Sequence, residues 1–180
     1  YCLIILSSSE LFIVPVKIEE AKTLQALSVL TFKETFGAQN TKENMKAYLE
    51  ERLSLEQITF ELEEPNSSFY FAIINKQCVG YLKLNFKNAQ NEDVLNRQAF
   101  EIERIYILSL FQGKGLGSRL FQKAIDIGKA KKYNRLWLGV WEFNLNRLAF
   151  YKRKGLNAFG KHTFLLGKDR QTDILMQLEF

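Results

Sequence analysis

The chain has 180 residues, of which 47% are hydrophobic and 13% aromatic, a composition that supports a sizeable core and excludes a disordered chain. With only two prolines and ten glycines, it is neither collagen-like nor linker-like. The net charge of +5 divides unevenly, since residues 1–110 carry −4 and residues 111–180 carry +9. One part could therefore attract a cation and the other a polyanion.

We assign no functional role to the amino-terminal segment. The chain begins with Tyr1 rather than methionine, and we expect residues 1–9 to be a tag or a disordered leader before one domain at 10–180. An apolar run at 2–6 is the one candidate targeting signal. It has no basic region before it and Pro15 soon follows it, which argues against secretion or a membrane role.

The two cysteines bear on the compartment and on metal binding. Cys2 and Cys78 are far apart and show no metal-ligand spacing, so we expect no metal site. Two isolated cysteines are typical of a reducing compartment. We therefore expect a cytoplasmic protein.

The first half of the chain predicts two helices and three strands. A strand is predicted at 12–18, with Pro15 favouring an edge position, and a helix at 19–36 that ends before Gly37. Thr41 begins a second helix with a pattern like a capping box. Two apolar runs joined by a short polar loop predict a hairpin, and they lie at 69–74 and 78–86.

The second half begins with a strand at 99–108 that runs directly into the glycine-rich turn at 112–117. Apolar residues at helical spacing follow this turn. A strand, a helix and two closing strands complete the chain, at 136–140, 144–154, 156–165 and 172–180. The element order predicts an α+β domain, with a mixed sheet of about seven strands flanked by about four helices.

The turn at 112–117 is the clearest chemical signal. The first amides of a helix lack intrahelical partners and lie at the positive end of its dipole, so a strand that turns through glycines into a helix can bind a phosphate. Glycine lets the backbone approach the anion closely. The spacing Gly113-x-Gly115-x-Gly117 after Gln112 matches neither a Rossmann fingerprint nor a P-loop.

Two ordered motifs resemble the GNAT superfamily of N-acetyltransferases. The Gln-x-x-Gly-x-Gly pattern from Gln112 resembles the turn that holds the pyrophosphate of coenzyme A in that family. Downstream, Asn144 and the segment Ala-Phe-Tyr-x-x-x-Gly ending at Gly155 resemble its second landmark, with Leu156 replacing the usual phenylalanine. The resemblance implies a GNAT-like fold and an enzyme that transfers acetyl from acetyl-CoA to a primary amine.

Further matches resemble the bacterial spermidine/spermine acetyltransferases and extend over roughly residues 12–180. They include Glu-Arg-Ile-Tyr from Glu103, Leu-Gly-Val-Trp-Glu from Leu138, and Gly-x-Asp-x-Gln-Thr-Asp from Gly167. Arg147 departs from the small residue common at that helix position. This branch implies a polyamine acceptor and direct attack in a ternary complex.

A polyamine nitrogen has a pKa near 10.4, as lysine does, so it arrives protonated and needs a general base. Glu103 is our first candidate, because the family often places its carboxylate on this strand. Glu101 is the second, since strict alternation puts residues 101, 103, 105 and 107 on one face. A bulge, which is common in the family at this strand, would change that pattern.

The resemblance also assigns the acid and the cofactor contacts. Tyr151 matches the tyrosine that protonates the leaving thiolate, and the amide of Ile107 or a neighbour would bind the developing oxyanion. His162, the one histidine, is interpreted as structural. The implied cofactor-binding residues are Ile105, Tyr106, Ile107, Gln112, Gly113, Lys114, Gly115, Leu116, Gly117, Ser118, Asn144 and Tyr151.

Three other functions stay open at this point. A protein or peptide N-acetyltransferase would keep the chemistry and change the acceptor. A basic nucleic-acid-binding domain would need a continuous basic stripe, whereas the lysines here are scattered. A non-catalytic CoA-binding regulator would not need Tyr151 or Glu103. We expect a small-molecule amine as partner, neither nucleic acid nor membrane, and the sequence leaves monomer and homodimer open.

Overall fold

A computed structural model describes residues 10–92 and 98–180, and the predicted leader at 1–9 lies outside the described residues. Within these two ranges, seven strands form one sheet in the order β1-β2-β3-β4-β5-β7-β6, parallel only between β4 and β5. The strand β1 lies at the edge of the sheet, as Pro15 predicted, but it ends at Pro15 rather than at residue 18. The strands are β1 Leu11–Pro15, β2 Ser67–Ile74, β3 Gln77–Asn85, β4 Ala99–Ile107, β5 Arg135–Trp141, β6 Asn157–Leu166 and β7 Asp169–Glu179.

The described residues contain five α-helices, one more than the sequence predicted. They are α1 Ala21–Phe36, α2 Lys42–Arg52, α3 Leu55–Glu63, α4 Leu116–Ala130 and α5 Leu145–Arg153. The missed helix is α3, which only two residues separate from α2. The sequence does contain a start signal for α3, because Ser54 and Gln57 have capping-box spacing. In the structure the Ser54 hydroxyl accepts a hydrogen bond from the Gln57 amide at 3.1 Å.

Each face of the sheet carries its own apolar core. On one face, Leu120 and Phe121 of α4 and Tyr151 of α5 pack against strand residues such as Phe100 and Leu138. On the other face, α1, α2 and α3 contribute a second cluster against β2 and β3, whose members include Leu24, Phe32, Tyr48, Ile58, Phe71 and Tyr81. The glycine-rich turn therefore opens on the α4 face, and the three amino-terminal helices cover the opposite face.

A bulge in β4 decides which of its side chains share a face. Lys83 of β3 pairs with Arg104 and Leu84 pairs with Ile102, so Glu103 has no partner in this register. Ile105 and Ile107 consequently join the α4 core, while Glu101 and Glu103 face the opposite side. Strict alternation, which grouped residues 101, 103, 105 and 107, is therefore wrong, because the bulge inserts one residue and reverses the pleat.

Candidate active site

The strands β4 and β5 diverge after a short parallel contact. Only Ala99, Phe100 and Glu101 of β4 pair with β5, opposite residues 135–137. The other edge of β4 pairs with β3 as far as Ile107. The edge of residues 103–107 that faces β5 therefore has no strand partner within the described chain, and its backbone groups border a gap that an extended ligand could fill.

The glycine-rich turn lies at the end of β4 and opens outward. Gly113 and Gly115 have φ values of +75° and +76°, a left-handed conformation that costs glycine little. A Cβ added at Gly113, Gly115 or Gly117 would meet no atom within 4 Å. The space in front of the turn is thus open, and the glycines prevent side chains from occupying it.

The first turn of α4 supplies free donors to this space. Within the described chain, the amides of residues 115–118 have no hydrogen-bond acceptor, as expected for a helix amino terminus. The Gln112 side chain donates to the Ile107 carbonyl at 2.8 Å, which ties the turn to the end of β4. Lys114 lies over the Phe111 ring at 5.2 Å. The residues present therefore fit a pyrophosphate at the turn and a thin chain along β4.

Tyr151 and Asn144 both belong to the helix that follows β5. The Tyr151 ring packs against Phe121 and Phe150, with centroids 6.0 and 5.1 Å apart. Burial raises the pKa of Tyr151 to about 12, so its hydroxyl keeps its proton throughout the neutral range. The Asn144 side chain caps α5 by accepting a hydrogen bond from the Arg147 amide at 3.2 Å, which leaves its amide nitrogen as the group for a cofactor contact.

On the face away from α4, the sheet and the first helices enclose a cavity of about 280 Å³. Four carboxylates line it against two guanidinium groups, and the remaining wall is mainly aromatic. The carboxylates belong to Glu92, Glu101, Glu103 and Asp173, and the guanidinium groups to Arg52 and Arg104. The aromatic lining consists of Phe32, Phe36, Tyr48, Tyr81, Tyr106, Trp137, Trp141 and Phe164.

Glu103 belongs to a buried ion cluster at the floor of this cavity. Its carboxylate lies 2.6 Å from Lys83 Nζ and 3.0 Å from Arg104 Nη2, and it accepts a hydrogen bond from Asn85 Nδ2 at 2.6 Å. Glu61 completes the cluster, since it contacts both cations, 2.9 Å from Lys83 Nζ and 2.7 Å from Arg104 Nη1.

This environment disfavours the general-base role that the sequence predicted for Glu103. Burial alone would raise the pKa of Glu103, but the charges of Arg104 and Lys83 outweigh it and lower the pKa to about 2. A carboxylate stabilised to this extent accepts a proton poorly near neutral pH. Glu103 instead stays ionised within this cluster, where Lys83 and Arg104 balance its charge.

The other carboxylates have different surroundings. Glu101 is buried and accepts hydrogen bonds from Asn85 Nδ2 at 3.0 Å and from the amide and side chain of Asn91 at 2.9 Å each. Burial, with the charge of Glu103 as a second cause, raises the pKa of Glu101. At the rim, Glu92 Oε1 lies 2.7 Å from Nδ1 of His162. Sequence reasoning assigned no site role to Glu92 or Asp173.

Comparison with known proteins identifies the family. Residues 31–156 match the profile of the acetyltransferase (GNAT) family, and the chain belongs to this family. An uncharacterized N-acetyltransferase from the pepI 3' region of Lactobacillus delbrueckii subsp. lactis is 42% identical over 165 residues, which covers 92% of this chain and 95% of that protein. The protein is therefore an acetyl-CoA-dependent N-acetyltransferase, and the sequence prediction of this family is confirmed.

More distant relatives are also similar. The spermine/spermidine N(1)-acetyltransferase of Bacillus subtilis is 24% identical over 135 residues, covering 69% of this chain and 88% of that protein. The structure of the PaiA N-acetyltransferase of Thermoplasma acidophilum in complex with coenzyme A has a TM-score of 0.76, at 19% identity and over 95% of this chain and 99% of that one. This last likeness shows the fold, and the predicted mixed sheet of GNAT type is confirmed.

The ribosomal-protein-alanine N-acetyltransferase of Brucella melitensis has the same fold, with a TM-score of 0.70 and 20% identity over 94% of this chain and 99% of that one.

Among the residues that the structure describes, no helix has the length and apolar character needed to span a bilayer.

Gly115→Glu should abolish the stabilisation of the fold by coenzyme A. Wild-type protein should gain about 2.7 kcal/mol at a coenzyme A concentration of 100 Kd, measured as a rise in melting temperature. The variant should gain nothing, because a carboxylate would stand in the open space before the α4 amides. Gly115→Asn is the matched control, since Asn tolerates the left-handed conformation without adding charge. A full shift in Gly115→Glu would contradict the site.

Proposed function

We propose that this N-acetyltransferase acetylates a primary amine of an elongated polycation, with spermidine or spermine as the favoured acceptor. The observation that carries the proposal is the cavity, in which four carboxylates face two guanidinium groups within an aromatic wall. One guanidinium, that of Arg104, is already paired with Glu61 and Glu103. Because Lys83 and Arg104 balance Glu61 and Glu103, the excess negative charge comes from Glu92, Glu101 and Asp173 against Arg52. This excess is available to an ammonium group.

The aromatic wall favours the same ligand class. Trp141 lies 6.1 Å from Phe36 and 5.5 Å from Phe143, measured between ring centroids, and Trp137 donates a hydrogen bond to Gln90 at 2.7 Å. Aromatic faces attract cations, Trp most strongly, and neighbouring methylenes gain from apolar contact. A polyamine alternates these two groups along its length. The similarity to a spermine/spermidine acetyltransferase supports the same acceptor.

We further propose that the acetyl group moves directly from the thioester of acetyl-CoA to the amine. Cys78 is the only cysteine of the described residues; it lies on β3 and is not among the residues that line the cavity. Burial raises the pKa of its thiol, which makes the thiolate scarce and a covalent acyl-cysteine route unfavourable. A free thiol is also consistent with the cytoplasmic location that we propose.

Different residues of the chain would bind the cofactor, stabilise the oxyanion and donate the proton. We propose that the turn at 112–118 and the free edge of residues 105–107 bind acetyl-CoA, with Asn144 as a further contact. A backbone amide of that edge would stabilise the developing oxyanion. Tyr151, whose hydroxyl stays protonated, would donate its proton to the leaving sulfur. The carboxylates of Glu92, Glu101 and Asp173 would attract the acceptor, because the charge of Glu103 is balanced by Lys83 and Arg104.

The acceptor prediction is tested by initial rates. At low salt, spermidine or spermine should show a kcat/KM at least about tenfold above that of an uncharged amine, because a cleft of one charge sign raises the local concentration of its counter-ion. The advantage should shrink between about 0.01 M and 0.15 M salt, as the Debye length falls from about 30 Å to about 8 Å.

The panel should also contain a diamine, lysine and peptides. Glu92→Gln, at the cavity rim, should reduce the charge preference, whereas Glu50→Gln on the outer surface of α2 should not. Equal efficiency for charged and neutral acceptors at low salt, or a preference for peptide amino termini, would refute the polyamine assignment. A peptide preference would indicate a protein N-acetyltransferase on the same scaffold.

A further inference from the structure

Asp173 occupies a position on β7 that projects it over the neighbouring strand. In the register of the sheet it lies opposite Trp141 of β5 and His162 of β6. A Cβ added at Gly139 would come within 3.1 Å of Asp173 Oδ2. Because Gly139 has no side chain, the Asp173 carboxylate can lean across β5, the strand that borders the gap beside β4.

Asp173 also differs from the other cavity carboxylates in its contacts. Glu103 contacts two cations and Asn85, Glu101 accepts three hydrogen bonds, and Glu92 is paired with His162. Asp173 has neither a hydrogen bond nor an ion pair within the described ranges 10–92 and 98–180. A carboxylate that lines a cavity without a protein partner is available to a ligand.

We propose that Asp173 is the catalytic residue that removes the proton from the acceptor ammonium. The inference rests on the proposed function, in which the acceptor arrives as a protonated amine. The proton passes from the ammonium nitrogen to Asp173 Oδ, and the freed lone pair forms the C–N bond to the acetyl carbon. The C–S bond breaks with its electron pair on sulfur, which receives a proton from Tyr151.

The remaining protons balance through solvent. The second proton of the amine nitrogen is released and restores Tyr151, and Asp173 returns its own proton to water. The net products are the N-acetylated amine, the free thiol and one proton. No oxidant, reductant or further reactant is required.

The electrostatic environment suits this role. Burial raises the pKa of Asp173 to about 6, and only the charge of His162 opposes it. A base is most effective when its pKa lies near the working pH, and Asp173 meets this condition better than Glu103, whose pKa is about 2. The other titratable and charged groups that line the cavity are Tyr48 and Arg52 of α2, Tyr81 of β3, Glu92, Glu101, Glu103, Arg104 and Tyr106 on and before β4, and His162 of β6.

The test is Asp173→Asn, compared with Glu101→Gln and Glu103→Gln at saturating acceptor. Asp173→Asn should lower kcat at neutral pH about 10²- to 10⁴-fold. Wild-type kcat should fall as the pH drops through about 6, because Asp173 becomes protonated. In Asp173→Asn this limb should disappear, and the rate should rise with pH toward the acceptor's own pKa of about 10.4, since only neutral amine then reacts.

Two further measurements separate catalysis from structure. An O-alkyl hydroxylamine, which is uncharged at neutral pH, needs no base, so wild type and Asp173→Asn should acetylate it at nearly equal rates. Gly139→Ala should lower kcat with the polyamine while Asp173 is intact, because the added Cβ displaces the carboxylate. Coenzyme A should raise the melting temperature of both variants as it does that of wild type.

The outcomes are distinct. The inference is overturned if Asp173→Asn keeps the wild-type rate and the limb near pH 6, or if Glu101→Gln or Glu103→Gln removes that limb instead. An equal loss with the polyamine and the hydroxylamine would also overturn it, by showing a structural effect. If wild type acetylates no cationic amine, the proposed function itself fails.

Discussion

Replacing Tyr151 by Phe should lower the rate of the chemical step about 10²- to 10⁴-fold, the range expected for a positioned proton donor. The substitution removes only the hydroxyl, and the ring contacts with Phe121 and Phe150 remain. The folded structure and coenzyme A affinity should therefore change little. Single-turnover acetylation measures the step directly.

Tyr133→Phe is the matched control for this prediction. Tyr133 is also packed against aromatic rings, those of Phe86 and Phe100, but it lies just before β5, at the end of the sheet opposite the glycine-rich turn. The single-turnover rate of Tyr133→Phe should equal that of the wild-type protein. An unchanged single-turnover rate in Tyr151→Phe would remove Tyr151 from the mechanism and leave solvent as the proton donor.

Arg104→Met should destabilise the fold by about 3–5 kcal/mol, the cost of removing one partner from a buried ion cluster. The guanidinium contacts Glu61 and Glu103 at 2.7 and 3.0 Å, and Arg104 is 6% exposed. Without it, Lys83 would be the one cation of this cluster left to balance two buried carboxylates. Denaturant unfolding at neutral pH measures the loss.

The exposed pair between Arg135 and Glu179 provides the control. Its 3.3 Å contact joins side chains that are 33% and 68% exposed, so Arg135→Met should cost at most about 1 kcal/mol. A similar cost for both substitutions would contradict the assigned role of the buried cluster.

The cluster also predicts the acid limb of stability. The pKa of Glu103 falls from 4.5 to about 2 on folding, so its contribution is complete above pH 4.5 and is lost as the pH falls through about 2. Arg104→Met should move this loss to higher pH, because one of the charges that lower the pKa is gone. Unfolding free energies measured at several acidic pH values would show the shift, and an unchanged acid limb would contradict it.

The sequence by itself determined the local helices and strands and the position of the glycine-rich turn. Hydrophobic periodicity and the break at Gly37 located nearly every helix and strand, since side-chain period and chain-breaking residues act over a few positions. The turn from Gln112 to Gly117 was recognisable because the function proposed for it depends on local backbone amides and on the absence of side chains. The short helix α3 was missed only because it follows α2 so closely.

The cavity on the face away from α4 was decided by tertiary structure alone. The bulge at Glu103 reversed the pleat of β4, and the charges of Arg104 and Lys83 lower the pKa of Glu103, the carboxylate that the sequence predicted as the base. Asp173 faces the cavity only because β7 lies beside β5, although 32 to 44 residues separate the paired positions along the whole of this ladder. A carboxylate's pKa depends on burial and on charges brought together by such long-range contacts, so residue type and spacing identify candidate groups without ranking them.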